Sequence, residues 1–153
     1  MTDDTAAAQP ATAFGVVVIT HGQLATELVN AAETIVGELP RFAAVSIGWH
    51  DDVEVAREAI GRALARVDGG TGVLLLTDMF GGTPTNLALT YVEAGRREAI
   101  TGGNLPMLIK LASLRSAGDV LAAARAMREH GRNAIWVASD LLRPQGATGG
   151  AEA

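Results

Sequence analysis

The sequence has no cysteine among its 153 residues, which excludes disulfides, thiol nucleophiles and cysteine-based zinc sites. Aromatic side chains are scarce: three Phe, two Trp and one Tyr. Since 48% of the residues are nevertheless hydrophobic, the core has to be built from Val, Leu, Ile and Ala. Basic residues are outnumbered, with 12 Lys and Arg against 17 Asp and Glu, for a net charge of −5. With no basic stretch, nucleic acid is not an expected partner. No apolar run approaches the ~20 residues of a membrane span, so no membrane insertion is expected. Asp3 and Asp4 stand where a secretory leader would be basic, which points to a cytoplasmic chain. A chain of this length is expected to fold as one domain that buries roughly 70% of its unfolded surface.

What is present is an alternation of short apolar runs with helical periods. Residues 1–13 are small and polar and read as a disordered lead-in, and 139–153 as a flexible tail, leaving one domain over 14–138. Strands are expected at Gly15–Ile19, Phe42–Ile47, Gly72–Leu76, Ala99–Thr101 and Ala134–Ala138. The first and third are almost purely apolar, as in central parallel strands covered on both faces. A first helix carries Leu24, Leu28, Val29, Ala32, Ile35 and Val36 on one stripe and stops at Gly37. A second carries Val53, Ala56, Ile60, Ala63, Leu64 and Val67, capped by Asp51 or Asp52. A third starts with Thr83 as N-cap and Pro84 at its first position. Pro106 opens a short fourth, and a fifth runs from about Asp119 to His130 and stops at Gly131. This alternation predicts a doubly wound α/β fold with a mostly parallel sheet of four strands in order 2-1-3-4. In such sheets the ligand crevice lies outside the C-terminal ends of strands one and three.

Those ends carry the candidate chemistry. His21 follows the first strand, and Asp78 follows the third. Neutral imidazole offers one lone pair, and a carboxylate on its other nitrogen fixes the ring and stabilises the positive charge that develops on attack. The turn Gly81-Gly82-Thr83-Pro84 then opens a helix whose free N–H groups form an anion site, with the Thr83 hydroxyl as a further donor. No Lys follows these glycines, so the turn is not a nucleotide-binding P-loop. Gly102-Gly103-Asn104-Leu105-Pro106 is a third glycine loop on the same edge, readable as a wall of the site or as a plain turn. Trp49-His50-Asp51-Asp52 has adjacent rather than facing ligands and is not read as a metal site. His130 suits a helix C-terminus, and Trp136 reads as core or interface.

Together, Thr20-His21-Gly22, Thr77-Asp78-x-Phe80-Gly81-Gly82-Thr83-Pro84-x-Asn86 and Gly103-Asn104-Leu105-Pro106-Met107 resemble the mannose-type IIA component of the bacterial phosphoenolpyruvate-dependent sugar phosphotransferase system (PTS). The resemblance spans about Phe14 to Val137. It implies that His21 takes a phosphoryl group from the phosphohistidine of the carrier HPr and passes it to a IIB component. Asp78 would hold the ring nitrogen away from the phosphoryl group, and Thr20, Gly81, Gly82 and Thr83 would make up its phosphoryl-binding surroundings. No metal or cofactor is implied. The resemblance also implies a homodimer that exchanges a C-terminal antiparallel edge strand, here Ala134–Ala138. Phe80 stands where the family often has Trp. Many members carry a IIB domain after a linker, and none is read in these residues, which leaves the acceptor open. Two other readings remain: a regulatory module gating a partner protein by its phosphorylation state, and the phosphotransfer subunit of a dihydroxyacetone kinase system. The Gly81-Gly82-Thr83-Pro84 turn favours the mannose type over the latter.

Overall fold

A computed structural model describes residues 14–114 and 119–143. The lead-in expected at 1–13 and the tail beyond residue 143 lie outside the described residues. The chain runs β1 (Gly15–His21), α1 (Leu24–Val36), β2 (Phe42–Ile47), α2 (Val53–Val67), β3 (Val73–Thr77), α3 (Gly82–Leu89), β4 (Arg97–Ile100), α4 (Leu105–Ser113), α5 (Val120–Asn133) and α6 (Ala138–Leu141). All four strands are parallel, in the expected order β2-β1-β3-β4.

Alternation along the strands divides the core into two layers. Val16, Val18, Leu74 and Leu76 face one way and meet Ala25, Val29 and Ala32 of α1 together with Met107 and Leu108 of α4 and Met127 of α5. Val17, Ile19, Val73 and Leu75 face the other way, onto Ile60 and Leu64 of α2 and Leu87 and Ala88 of α3. Helices on both faces explain why β1 from Gly15 to Ile19 and β3 from Val73 to Leu76 are apolar at successive positions rather than at every second one.

Several local expectations are corrected. In α1 the buried positions are Ala25, Val29 and Ala32, whereas Leu24, Ile35 and Val36 are exposed. The helix is rotated so that small side chains lie against the sheet, allowing close approach. Asp52, not Asp51, caps α2, accepting from the amides of Glu54 and Val55. Asp51 instead accepts from Gly48 N–H in the turn before it. Helix α3 begins at Gly82 with Gly81 as its cap, so Thr83 lies inside the helix rather than capping it. Helix α5 continues through Gly131, which is buried because Met107 packs where its side chain would stand. Asn104 caps α4 ahead of Pro106.

The fifth strand is absent from the sheet of a single chain. Residues 135–137 form neither helix nor strand after α5, and Ala138 already belongs to α6. Ile135, Trp136 and Val137 are all exposed, so Trp136 is not a core residue of one chain. Residues 139–141 of the expected flexible tail lie in α6.

Leu75 is fully buried on the central strand β3. Leu75→Ala is expected to destabilise the domain by about 3 kcal/mol, because the lost methyl groups leave a cavity that two helical layers cannot fill. Urea unfolding followed by circular dichroism measures it, and a loss below about 1 kcal/mol would contradict this packing.

Candidate functional site

His21 is the last residue of β1, paired with Ile47 of β2. The chain then turns through Gly22, whose φ of +57° suits a residue without Cβ. Thr20, just before His21, is fully buried, and its hydroxyl accepts the Ala25 amide of α1 at 2.6 Å. That bond satisfies one orphan N–H at the helix start. It also takes the Thr20 side chain away from the crevice.

Asp78 directly follows β3, adjacent to β1 in the sheet. Its Oδ2 accepts twice from His21, from ring Nδ1 at 2.8 Å and from the backbone N–H at 3.1 Å. Its Oδ1 accepts from Met79 N–H at 3.1 Å. A carboxylate can only accept, so Nδ1 carries a proton, and in the neutral ring Nε2 holds the lone pair. The Asp78 side chain is 13% exposed while that of His21 is 48% exposed. Burial pushes the Asp78 carboxyl up, but the hydrogen bonds from the His21 ring and backbone and the attraction of the ring outweigh it. The carboxyl therefore lies below its ordinary 3.8.

Gly82 determines what stands in front of Nε2. Its φ is +82°, and a Cβ there would lie 2.9 Å from His21 Nε2. Glycine thus keeps the lone-pair side of the ring clear. Thr83 follows, exposed, at the start of α3, and no side chain caps that helix. Its hydroxyl and the first amides of α3 are therefore free to meet an anion. His21, Gly22, Gly48, Trp49, Gly82 and Thr83 line one open hollow of about 440 Å³.

The structure gives three features roles that the sequence does not assign them. Thr77 and Thr85 are buried and share a hydroxyl–hydroxyl hydrogen bond of 2.9 Å, while Thr85 also donates to the carbonyl of Met79. This pair fastens the loop carrying Asp78 to α3. The adjacency of Thr77 to Asp78 was the only clue in the sequence, and nothing marked Thr85. Trp49, adjacent in sequence to His50-Asp51-Asp52, walls the hollow beside His21. Gly103 donates its amide to Thr77 O at 2.8 Å, so the third glycine loop braces the end of β3 from the side of β4. His50 and His130 take no part in the hollow, and among the described residues no group of three His, Cys, Asp or Glu could hold a metal. No described helix is long and apolar enough to cross a membrane.

A four-stranded parallel sheet of order 2-1-3-4 that presents one histidine, oriented by one carboxylate, defines a doubly wound α/β class of domain. Within it, the family model described as "PTS system fructose IIA component" (EIIA-man) matches residues 15–127, and the chain belongs to that family. The PTS mannose-specific EIIAB component of Escherichia coli (strain K12) is 36% identical over 103 residues, 63% of this chain. The match spans only 30% of that longer protein. The PTS fructose-specific EIIA component of Bacillus subtilis (strain 168) is 32% identical over 103 residues, covering 67% of this chain and 70% of the relative. Among solved structures, the mannose/sorbose-specific IIA subunit of Enterococcus faecalis superposes with a TM-score of 0.71 at 27% identity, over 82% of this chain and 95% of that one. A PTS IIA protein associated with the fucose utilization operon of Streptococcus pneumoniae shares the fold, with a TM-score of 0.74 at 24% identity, over 86% of this chain and 99% of that one.

Because the folded Asp78 carboxyl is held below its ordinary 3.8, the stability it contributes is present above that pH and is lost as pH falls through the lower folded value. Asp78→Asn should flatten this acid-side slope in urea midpoints measured from neutral pH downward. A slope unchanged in the variant would mean the pair contributes nothing to folding.

Proposed function

We propose that this chain is a histidine phosphocarrier. His21 Nε2 accepts a phosphoryl group from the phosphohistidine of HPr and delivers it to a histidine of a IIB component, or lends it to a regulatory protein. The observation that carries the reading is the division of labour on one ring, with Nδ1 bonded to Asp78 and Nε2 bare beside Gly82. Membership of the EIIA-man family supports it.

The transfer balances without any added group. The donor ring enters with phosphorus on one nitrogen and a proton on the other. The Nε2 lone pair attacks in line, the donor N–P bond breaks, and its electron pair stays on the donor ring. That ring leaves as neutral imidazole, keeping its proton. The His21 ring gains the phosphoryl group and positive charge, with its Nδ1–H still directed at Asp78. The carboxylate stabilises that charge, and the α3 amides and the Thr83 hydroxyl meet the phosphoryl oxygens. Such a loose transition state asks for alignment and charge stabilisation rather than a covalent partner or a metal. Gly81 and Gly82 admit the phosphoryl group to the helix start. Thr20 serves by holding the His21 turn to α1. The setting is cytoplasmic.

The protein works as a homodimer in this reading. Residues 135–137 form an apolar stretch exposed in one chain, and β4 ends the sheet. An antiparallel exchange of Ala134–Ala138 onto the partner would cover both the stretch and the edge. Light scattering after size exclusion should give a dimer, and Trp136→Asp should shift it to monomer. A monomeric wild type at micromolar concentration would refute the exchange.

Incubation with phosphoenolpyruvate, enzyme I and HPr should add the mass of one phosphoryl group to the wild type and none to His21→Ala. A gain undiminished in His21→Ala would refute the assignment. Gly82→Ala should cut the transfer rate by roughly 100-fold, since its Cβ displaces the incoming phosphorus. Asp78→Asn should slow transfer by roughly 100-fold, as expected of a lost orienting carboxylate. Rapid-quench phosphorylation kinetics read both, and rates like wild type would remove the residue concerned from the mechanism.

A further inference from the structure

The loops around His21 supply no cation. The loops Gly22–Gln23, Gly48–Asp52, Asp78–Gly81 and Thr101–Asn104, and the first turn of each helix that follows, hold none of the 12 Lys and Arg residues. They do hold Glu27, Asp51, Asp52, Glu54 and Asp78. A site evolved to capture a free phosphorylated metabolite would be expected to present Arg or Lys to its charge. Arg128 and Arg132, near the end of α5 that Asn104 contacts through Gly131, are each paired with Glu129. The loops themselves therefore meet an anionic small molecule with acidic groups only.

Large apolar side chains stand out from the same rim. Trp49 is 94% exposed and Phe80 79% exposed, and Met79 and Leu24 are exposed beside them in the chain segments that flank the site. Three of the molecule's six aromatics, Phe14, Phe42 and Tyr91, are buried or partly so. Two of the other three are at this edge. Trp49 comes after β2 and Phe80 after β3, on either side of β1 and its His21. Trp49 also forms a wall of the hollow that holds the His21 ring. An exposed tryptophan beside a group-transfer atom is an unfavourable arrangement in water, and a docked partner would relieve it.

We infer that Trp49 is the anchor of a protein-docking surface, completed by Phe80, whose occupant is a phosphohistidine-bearing carrier protein with an apolar recess flanked by basic side chains. This rests on the phosphocarrier reading, because a donor imidazole brought in line with Nε2 places its carrier protein over Trp49. Charge complementarity selects the basic partner: the rim is acidic, and opposite charge speeds encounter and fixes orientation. Apolar contact supplies the residence that the missing cations do not. Trp49 acts on the binding of the carrier rather than on the reacting atoms.

The test compares two phosphoryl donors on the full chain, phosphorylated HPr and potassium phosphoramidate, a donor too small to cover the rim. Trp49→Ala is expected to lower the rate constant with phospho-HPr, measured below saturation, at least ten-fold more than that with phosphoramidate. Trp49→Phe should recover most of the difference. The KM for phospho-HPr with wild type should rise several-fold between low and physiological salt. Equal losses with both donors would make Trp49 a part of the His21 site and overturn the docking role, as would no loss with HPr. A KM flat in salt would overturn the basic partner. A wild type that is phosphorylated by phosphoramidate but not by phospho-HPr would overturn the phosphocarrier reading itself, an outcome distinct from the others.

Discussion

Ile19 stands beside Thr77 in the β1–β3 ladder, and the C-terminal edge of the sheet is built on that register. The ladder fixes the height at which each strand ends. His21 lies two residues past Ile19 and Asp78 one past Thr77, and their side chains meet at 2.8 Å. A slip of one residue would send either side chain to the opposite face, because strand side chains alternate. The register is in turn enforced by the two apolar layers. Val16 and Val18 face one, Val17 and Ile19 the other, and both layers are closed by helices. The core therefore sets where the two side chains are held, although the ring itself is half exposed.

Beneath the site lies a second constraint. The fully buried polar side chains among the described residues are Thr20, Thr77 and Thr85, and each is tied to the chain beside the His21–Asp78 pair. A buried hydroxyl without a partner costs about 1–3 kcal/mol, so each must find one. Thr20 finds the first amide region of α1. Thr77 and Thr85 find each other and the Met79 carbonyl. These bonds hold the two turns that carry the reactive groups, at points where glycines would otherwise leave the backbone loose. Stability and function meet here, since the groups that satisfy buried polar atoms also aim the imidazole.

Much of this was legible in the residues. The order of the four strands, the first five helices and the convergence of His21 and Asp78 followed from apolar runs, glycine stops and the winding rule; α6 did not. Of the two candidates for the α2 cap, Asp52 is the one that caps; Asn104 and Asp119 also cap their helices, a role not read from the sequence. The misreadings arose where packing between elements overrode a local pattern. The stripe on α1 looked like Leu24, Ile35 and Val36 because large apolar residues outweigh alanine in any periodicity count. Packing against a sheet favours Ala25 and Ala32, which let the helix approach. Gly131 read as a stop because glycine is common past helix ends, but here the space it leaves belongs to Met107 on α4. Trp49 and Thr85 could not be assigned from the sequence, because their roles depend on residues distant in the chain, such as His21 and Gly82, in one case and on loop geometry in the other.

The sequence by itself determined the layered α/β plan, since hydrophobic period and turn chemistry are local properties of the chain. It also determined which residues could react, because only a histidine and a carboxylate stand at the ends of the two central strands. Tertiary structure alone decided which nitrogen is free, for that depends on where Asp78 Oδ2 lies relative to the ring. It also decided that Gly82 borders that nitrogen and that Trp49 stands beside it. The physical reason is distance: a hydrogen bond or steric contact is fixed to tenths of an ångström, and only the packed sheet brings residues from β1, β2 and α3 that close.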